Sequence, residues 1–289
     1  MVESMLCPVS RLLETIARKY RPLCPRQFLL LAAFGAITYS NLYGQDLATD
    51  PESYKIRVVG QFWYATPTAT VAGSSSEVPI SFDQVIGFQQ YSTFNAFLDW
   101  HFKRKHHLTF AVSPNETTRT AVLKQNITFR DTTFLAGSSV TGELHNYSFA
   151  PGYRYDIIHN PHGHLGILVQ IDLLDFKASI TGTVLQSGQT NSATASGSLL
   201  APLPVAGPDG RFYFAENRVY IDANLKGMYF FGYGNFISTA GTVGVRLGNH
   251  VDVVGGYELG SHLAIHGTNS RLDVRQTQHG PTAGLAFNF

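Results

Sequence analysis

Apolar and polar side chains alternate one for one along most of the chain from Tyr54 onward, the period of a strand with two unlike faces. Tyr54, Ile56, Val58, Phe62 and Tyr64 fall on one face, and Lys55, Arg57 and Gln61 on the other. Phe94, Ala96, Leu98, Trp100 and Phe102 alternate with Asn95, Phe97, Asp99 and His101. Leu108, Phe110 and Val112 resume after the basic turn Lys103-Arg104-Lys105. The pattern recurs over 147–157, 165–173, 212–214, 219–231, 237–247, 251–259 and 283–289, which predicts about ten strands. Residues 114–142 leave eight or twelve open. Ile127 and Phe129 there are out of phase with the strand before, so the chain either leaves the sheet or bulges.

Connection lengths carry the next inference. Short links at 103–106, 159–163, 215–218 and 248–249 alternate with long ones at 66–91, 114–142, 178–208 and 262–272; 232–236 is the exception. A sandwich has no reason to put its long loops all at one end. A membrane barrel with short periplasmic turns and long outer loops does, and it turns its apolar face outward to lipid and its polar face inward. The fold class expected is all-β, a transmembrane antiparallel up-and-down β-barrel of about ten strands. In the first long loop, Ser81 is placed to cap a single helical turn. The third, Thr181 to Leu200, is rich in Ser, Thr, Gly and Asn and is expected to be a mobile loop.

Upstream of the alternation the grammar changes. Phe28 to Ile37 is an apolar run of ten residues, too short to span a bilayer as a helix but the length of a signal-peptide core. Arg11, Arg18, Lys19, Arg21 and Arg26 precede it. Residues 1–45 are therefore expected to be a signal peptide and 46–289 the barrel, with export to a bacterial outer membrane. Cleavage near Gly44 takes five of the 21 basic and two of the 20 acidic residues, which leaves 16 against 18. Both cysteines, Cys7 and Cys24, go with the leader, so the exported chain has no thiol chemistry. Charged residues at 14% and aromatics at 12% exclude a disordered polyelectrolyte, and the charge balance gives no basis for binding nucleic acid.

The C-terminal segment Gly280-Pro-Thr-Ala-Gly-Leu-Ala-Phe-Asn-Phe289 ends on an aromatic, with Phe287, Leu285 and Ala283 at every second position before it. This resembles the signal by which bacterial outer-membrane β-barrels are recognised for assembly. The chain is also similar to small outer-membrane barrels, mostly uncharacterised, in Leu98-Asp99-Trp100-His101-Phe102 before a basic turn. Pro202-Leu203-Pro204 with Gly207, and Gly280-Pro281 with Gly284, add to that similarity. The resemblance implies a location and an assembly route, with outer-membrane lipid, lipopolysaccharide and the barrel-assembly machinery as partners. It implies no substrate and leaves the oligomeric state open.

Lumen-facing charges expected from parity are Lys55, Arg57, Asp99, His101, Arg154, Asp156, Asp172, Asp222, Lys226, Arg246, Asp252 and Glu258. A barrel of this size has an interior barely wider than its own side chains. Buried charges are costly unless paired, so the expected arrangement is an ion-paired, partly hydrated plug. The function expected is a structural or surface-binding role, with a narrow solute path as one form of it. The alternative is an outer-membrane hydrolase at the external rim, of the surface protease or lipid A deacylase type. For it the chain offers Asp99 with His101, Asp156 with His159, and Glu258 with Ser261 and His262, but no motif joins them into a triad. His159, His162 and His164 sit in one turn that Pro161 and Gly163 explain as well as a metal does; His106-His107 reads as an interfacial turn. No metal, cofactor or catalytic residue is expected. Tyr54, Trp63, Tyr64, Trp100, Phe102, Tyr153, Tyr155, Tyr229, Phe231 and Phe289 are expected to form the aromatic girdles.

Overall fold

The computed structural model describes residues 50–72, 78–186, 189–231, 234–265 and 272–289; the expected leader and both cysteines lie outside them. In chain order the elements are β1 (Ile56–Ala72), β2 (Ile80–Ser81), α1 (Phe82–Val85), β3 (Tyr91–Lys103), β4 (His106–Val122), β5 (Ile127–Phe129) and β6 (Thr132–Phe134). Then follow β7 (Ser139–Asn160), β8 (Gly163–Gln186), β9 (Gln189–Phe214), β10 (Val219–Phe230), β11 (Gly234–Arg246), β12 (Val251–Ile265) and β13 (Asp273–Asn288). β1, β3, β4 and β7 to β13 pair antiparallel with their chain neighbours, and β13 pairs with β1 from Arg57↔Asn288 to Ala72↔Asp273. The ring is closed by ten strands. A closed ring leaves no sheet edge at bilayer depth, which lipid cannot hydrogen-bond.

The outside of the ring carries the apolar set. Trp100, Ile167, Val169, Ile171, Phe212, Ile221, Leu225, Val243 and Val253 are all exposed, which in water would be an unpaid cost and in lipid is the expected state. Tyr64, Phe102, Tyr153, Tyr155, Tyr229, Phe231 and Phe289 are exposed as well. Two aromatics depart from the girdle expected of them. Trp63 and Tyr54 are 2% and 7% exposed and point inward. Trp63 has the lumen parity of Gln61. Tyr54 precedes β1, where the chain turns at Asp50–Ser53, so strand phase does not extend back to it.

Strand lengths differ most from expectation. β8 has 24 residues and β9 has 26, whereas crossing a bilayer takes roughly 9–11 tilted residues. The surplus rises beyond the membrane, and there the alternation keeps its parity but swaps its chemistry. On β8, outward Leu165, Ile167, Val169 and Ile171 give way to Lys177, Ser179 and Thr181, while inward Gln170 and Asp172 give way to Leu174, Phe176, Ala178 and Ile180. On β9, outward Phe212 to Leu200 is followed by Ser198, Ser196 and Thr194, with Val205, Leu203, Ala201, Leu199 and Ala195 inside. The described residues of the segment Thr181 to Leu200, 181–186 and 189–200, are accordingly the upper part of the β8–β9 hairpin and not a loop, and 114–142 is the continuation of β4 and β7 plus the small β5–β6 hairpin. Water outside and a core inside demand the reversed pattern.

That core closes the loop end of the barrel. Ile80, Phe82, Ile86 and Phe88 from the first connection meet Phe129 and Phe134 of β5–β6 and the upper strand residues Val140, Phe176, Leu203, Phe236 and Leu263. Phe82 and Phe129 cross edge to face at 6.3 Å. Ser81 precedes α1 as expected, but its hydroxyl bonds the Asp83 carboxylate (2.9 Å) and not the helix backbone.

Candidate functional site: the buried charge layer at the turn end

β3–β4, β7–β8, β9–β10 and β11–β12 are joined by short turns, and just inside them the inward positions carry charge. Register explains the grouping. His101 of β3 lies opposite His107 of β4, and His107 lies opposite Arg154 of β7, so three inward residues share one row. Arg154 then reaches three carboxylates from three strands: Asp156 Oδ1 at 2.9 Å, Asp99 Oδ2 at 3.0 Å and Asp209 Oδ1 at 3.1 Å. Arg211 bonds Asp222 (2.6 Å), Glu52 (3.2 Å) and the Tyr54 hydroxyl oxygen (3.1 Å). Arg57 bonds Asp252 (2.8 Å) and Asn288 (2.7 Å) and donates to the Tyr220 hydroxyl. The Tyr220 ring lies between Arg57 and Arg211, at 5.2 and 5.3 Å.

Two histidines complete the layer. His164 is buried, with Nδ1 3.0 Å from Glu52 Oε2 and Nε2 3.2 Å from Asp209 Oδ1. His107 is buried, with Nδ1 2.9 Å from Asp99 Oδ1 and Nε2 2.9 Å from Asp156 Oδ2. Asp99, His101 and His107 each offer a ligand atom, all within 4.8 Å of one another. A register shift between Asp156 and Ile158 leaves Ile157 and Ile158 both exposed and brings His159 back inside, 3.2 Å from Asp156. His162 remains exposed. The three histidines of that turn are thus dispersed and share no centre.

Glu52 anchors the N-terminal segment inside the barrel mouth. Burial would raise its pKa, but Arg211 and then His164 hold the carboxyl well below the ordinary range. Burial and the Glu52 charge push the Tyr54 phenol well up, so it stays neutral. A depressed carboxyl stabilises the fold above its unfolded value, near 4.5, and that contribution is lost as pH falls through the folded value. Between neutral pH and acid, the urea midpoint is therefore expected to fall less in Glu52→Gln than in the wild type. Parallel acid titrations of the two proteins would contradict the anchor.

The expected lumen residues divide. Arg57, Asp99, His101, Arg154, Asp156, Asp222 and Asp252 meet in the layer. Asp172 stands higher, accepting from the Ser148 hydroxyl (2.5 Å), and Glu258 is half-buried on inward β12. Lys226 lines a cavity of about 170 Å³ above the layer, together with Gln61, Phe97, Gln170, Asn224 and Thr242. Arg246 is buried but donates to the Asn217 carbonyl (3.1 Å), clamping a turn in which Ala215, Glu216 and Asn217 all have positive φ. Lys55 is a correction: it is exposed, because it precedes β1, whose ladder begins at Ile56. Glu52, His107, His164, Asp209 and Arg211 were not among the expected residues. His107 shares Asp99's face and parity would have found it; Asp209 and Arg211 follow once β9 is extended. Glu52 has no periodic signal.

For rim chemistry the geometry brings little together. His262 is exposed and bonds Thr277 (3.2 Å), while Asp99 and His101 (3.8 Å) lie at the turn end. Ala283, Phe287 and Phe289 are exposed and Leu285 half-buried, all on the outward parity of the last strand.

A closed ten-strand antiparallel ring with an apolar outer belt and a charged interior has the fold of an outer-membrane β-barrel. No protein-family model matches the chain, and no curated protein matches its sequence. Among solved structures, the outer membrane protease OmpT from Escherichia coli is similar in fold, with a TM-score of 0.55 at 10% identity, covering 86% of this chain and 100% of that one. The translocator domain of the autotransporter NalP from Neisseria meningitidis matches at 0.40 and 13% identity, over 91% and 96% of the two chains. Ail, the attachment invasion locus protein of Yersinia pestis, matches at 0.35 and 14%, over 81% and 99%.

Proposed function

We propose that this barrel is a sealed structural and surface-binding protein of the outer membrane and not a solute channel. The observation that carries the reading is an interior blocked at both ends. An apolar core occupies the loop end, the ion-paired layer occupies the turn end, and a cavity of about 170 Å³ lies inward of the layer. Ions do not cross a dry apolar core, and side chains locked in multivalent pairs do not step aside cheaply. The polar band of Lys177, Ser179, Thr181, Ser196 and Ser198 above the lipid belt is then the surface presented to the outside, next to lipopolysaccharide. Residues 1–45 act as the export leader, and the alternating Ala283, Leu285, Phe287 and Phe289 serve as the assembly signal.

Planar-bilayer recording on the purified protein tests the reading. No steady unitary current is expected. Reproducible ohmic steps that depend on protein concentration would overturn it.

A further inference from the structure

We propose that Asp99, His101 and His107 form a binding site for a zinc-like divalent cation inside the turn end of the barrel. The three residues come from the adjacent strands β3 and β4, and each offers a ligand atom within 4.8 Å of the others. Zinc at ~2.0–2.2 Å from tetrahedral nitrogen and oxygen donors holds them about 3.3–3.6 Å apart, a spacing these side chains reach by small rotations, and two imidazoles with a carboxylate are a set used at three-ligand zinc centres with an open position.

Two further observations point to a ligand. The His101 side chain is nine-tenths buried, and its Nε2 has no hydrogen-bond partner; it lies 3.8 Å from Asp99 Oδ2, too far to bond. A buried ring nitrogen without a partner carries a cost that coordination would remove. His107 is oriented as a metal ligand is, with Nε2 2.9 Å from the buried Asp156 carboxylate and Nδ1 toward Asp99. Metal-bound histidines characteristically hand their other ring N–H to a carboxylate, which fixes the tautomer and raises basicity. Asp156 is itself held by Arg154 and His159.

The formal charges leave room for a cation. Glu52, Asp99, Asp156, Asp209 and Asp222 set five carboxylates against three positive groups, the guanidiniums of Arg154 and Arg211 and the His164 ring, which faces carboxylates with both nitrogens; Arg57 is engaged separately with Asp252. Arg154 also approaches His107 Nδ1 to 2.9 Å through the same nitrogen that bonds Asp99, so cation binding moves that end of the guanidinium aside while its other nitrogens keep Asp156 and Asp209. Lys105 is turned away, donating to the Ile157 carbonyl.

The test is calorimetric titration of the chelator-stripped, purified protein with zinc chloride, repeated with cobalt(II) to read its ligand-field absorption. One saturable ion per chain is expected. His101→Ala is expected to weaken binding at least about tenfold, and Asp156→Asn by roughly 10–100-fold. His162→Ala, in the exposed turn, should bind as the wild type does. Absence of saturable binding by the wild type would overturn the proposal, and so would a loss on His162→Ala with none on His101→Ala. If the His101 variant does not fold, X-ray absorption at the zinc edge of the wild type decides. A shell with two imidazoles and a carboxylate oxygen supports the site, and a shell without imidazole overturns it.

Discussion

Replacing Arg154 with methionine is expected to cost ~3–5 kcal/mol of folding stability, the usual consequence of removing one partner from a buried ion pair. The reason is the number of groups the one guanidinium serves. Asp99, Asp156 and Asp209 come from three different strands, and each bonds it within 3.1 Å. Arg154 is only 5% exposed, so water does little to screen what is left behind. Lysine at the same position should recover part of the loss, since a point charge cannot fork to three carboxylates at once. Urea unfolding of the protein in lipid vesicles, followed through Trp63 and Trp100, measures the effect. A loss under about 1 kcal/mol would mean that the three carboxylates are held by something other than Arg154.

An arginine in place of Val253 is expected to cost ~2–4 kcal/mol if that position lies near the bilayer midplane, and to reduce the fraction of chains assembled in membranes. Val253 is 44% exposed on the outer belt, while its neighbour Val254 is 3% exposed and packs inside with Tyr213, Tyr220 and Ala286. Leu285→Arg, opposite Val253 on β13, should behave alike. Ser198→Arg, exposed on β9 above the belt, should stay within about 0.5 kcal/mol of the wild type. Equal stability of Val253→Arg and wild type in native membranes would remove that face from the lipid.

How much of this was legible in the sequence follows from where each residue lies along its strand. The lower halves of the strands read correctly because lipid outside and charge inside give a sharp period of two, as in Ile167 and Val169 against Gln170. The ring of ten and the lumen positions of Arg57, Asp99, Arg154 and Asp156 came from that. The upper halves did not read as strands. Thr194, Ser196 and Ser198 alternating with Ala195, Gly197 and Leu199 have a loop's composition, although the parity is a strand's. Pro202, Pro204 and Pro208 reinforced the misreading. They share one parity, so the N–H groups they lack are missing from one edge only, and above Ala206 that strand pairs with β8 and not with β10. Tyr54, Lys55 and Glu52 precede the first ladder, where period two no longer tells inside from outside. His164 was placed by its neighbours in a turn, whereas its partners Glu52 and Asp209 are 112 and 45 residues away.

The swap of chemistry at constant parity has a consequence for how the strands find one another. If β8 slipped by one residue against β7, its lower half would set Gln170 and Asp172 into lipid. Its upper half would simultaneously turn Phe176 and Ile180 out to water and Lys177 into the core. A strand patterned in a single sense is policed by one solvent only. Here two immiscible surroundings check the same alignment at two heights, so a misthreaded hairpin is rejected twice and the long β7–β8–β9 wall carries its own proofreading.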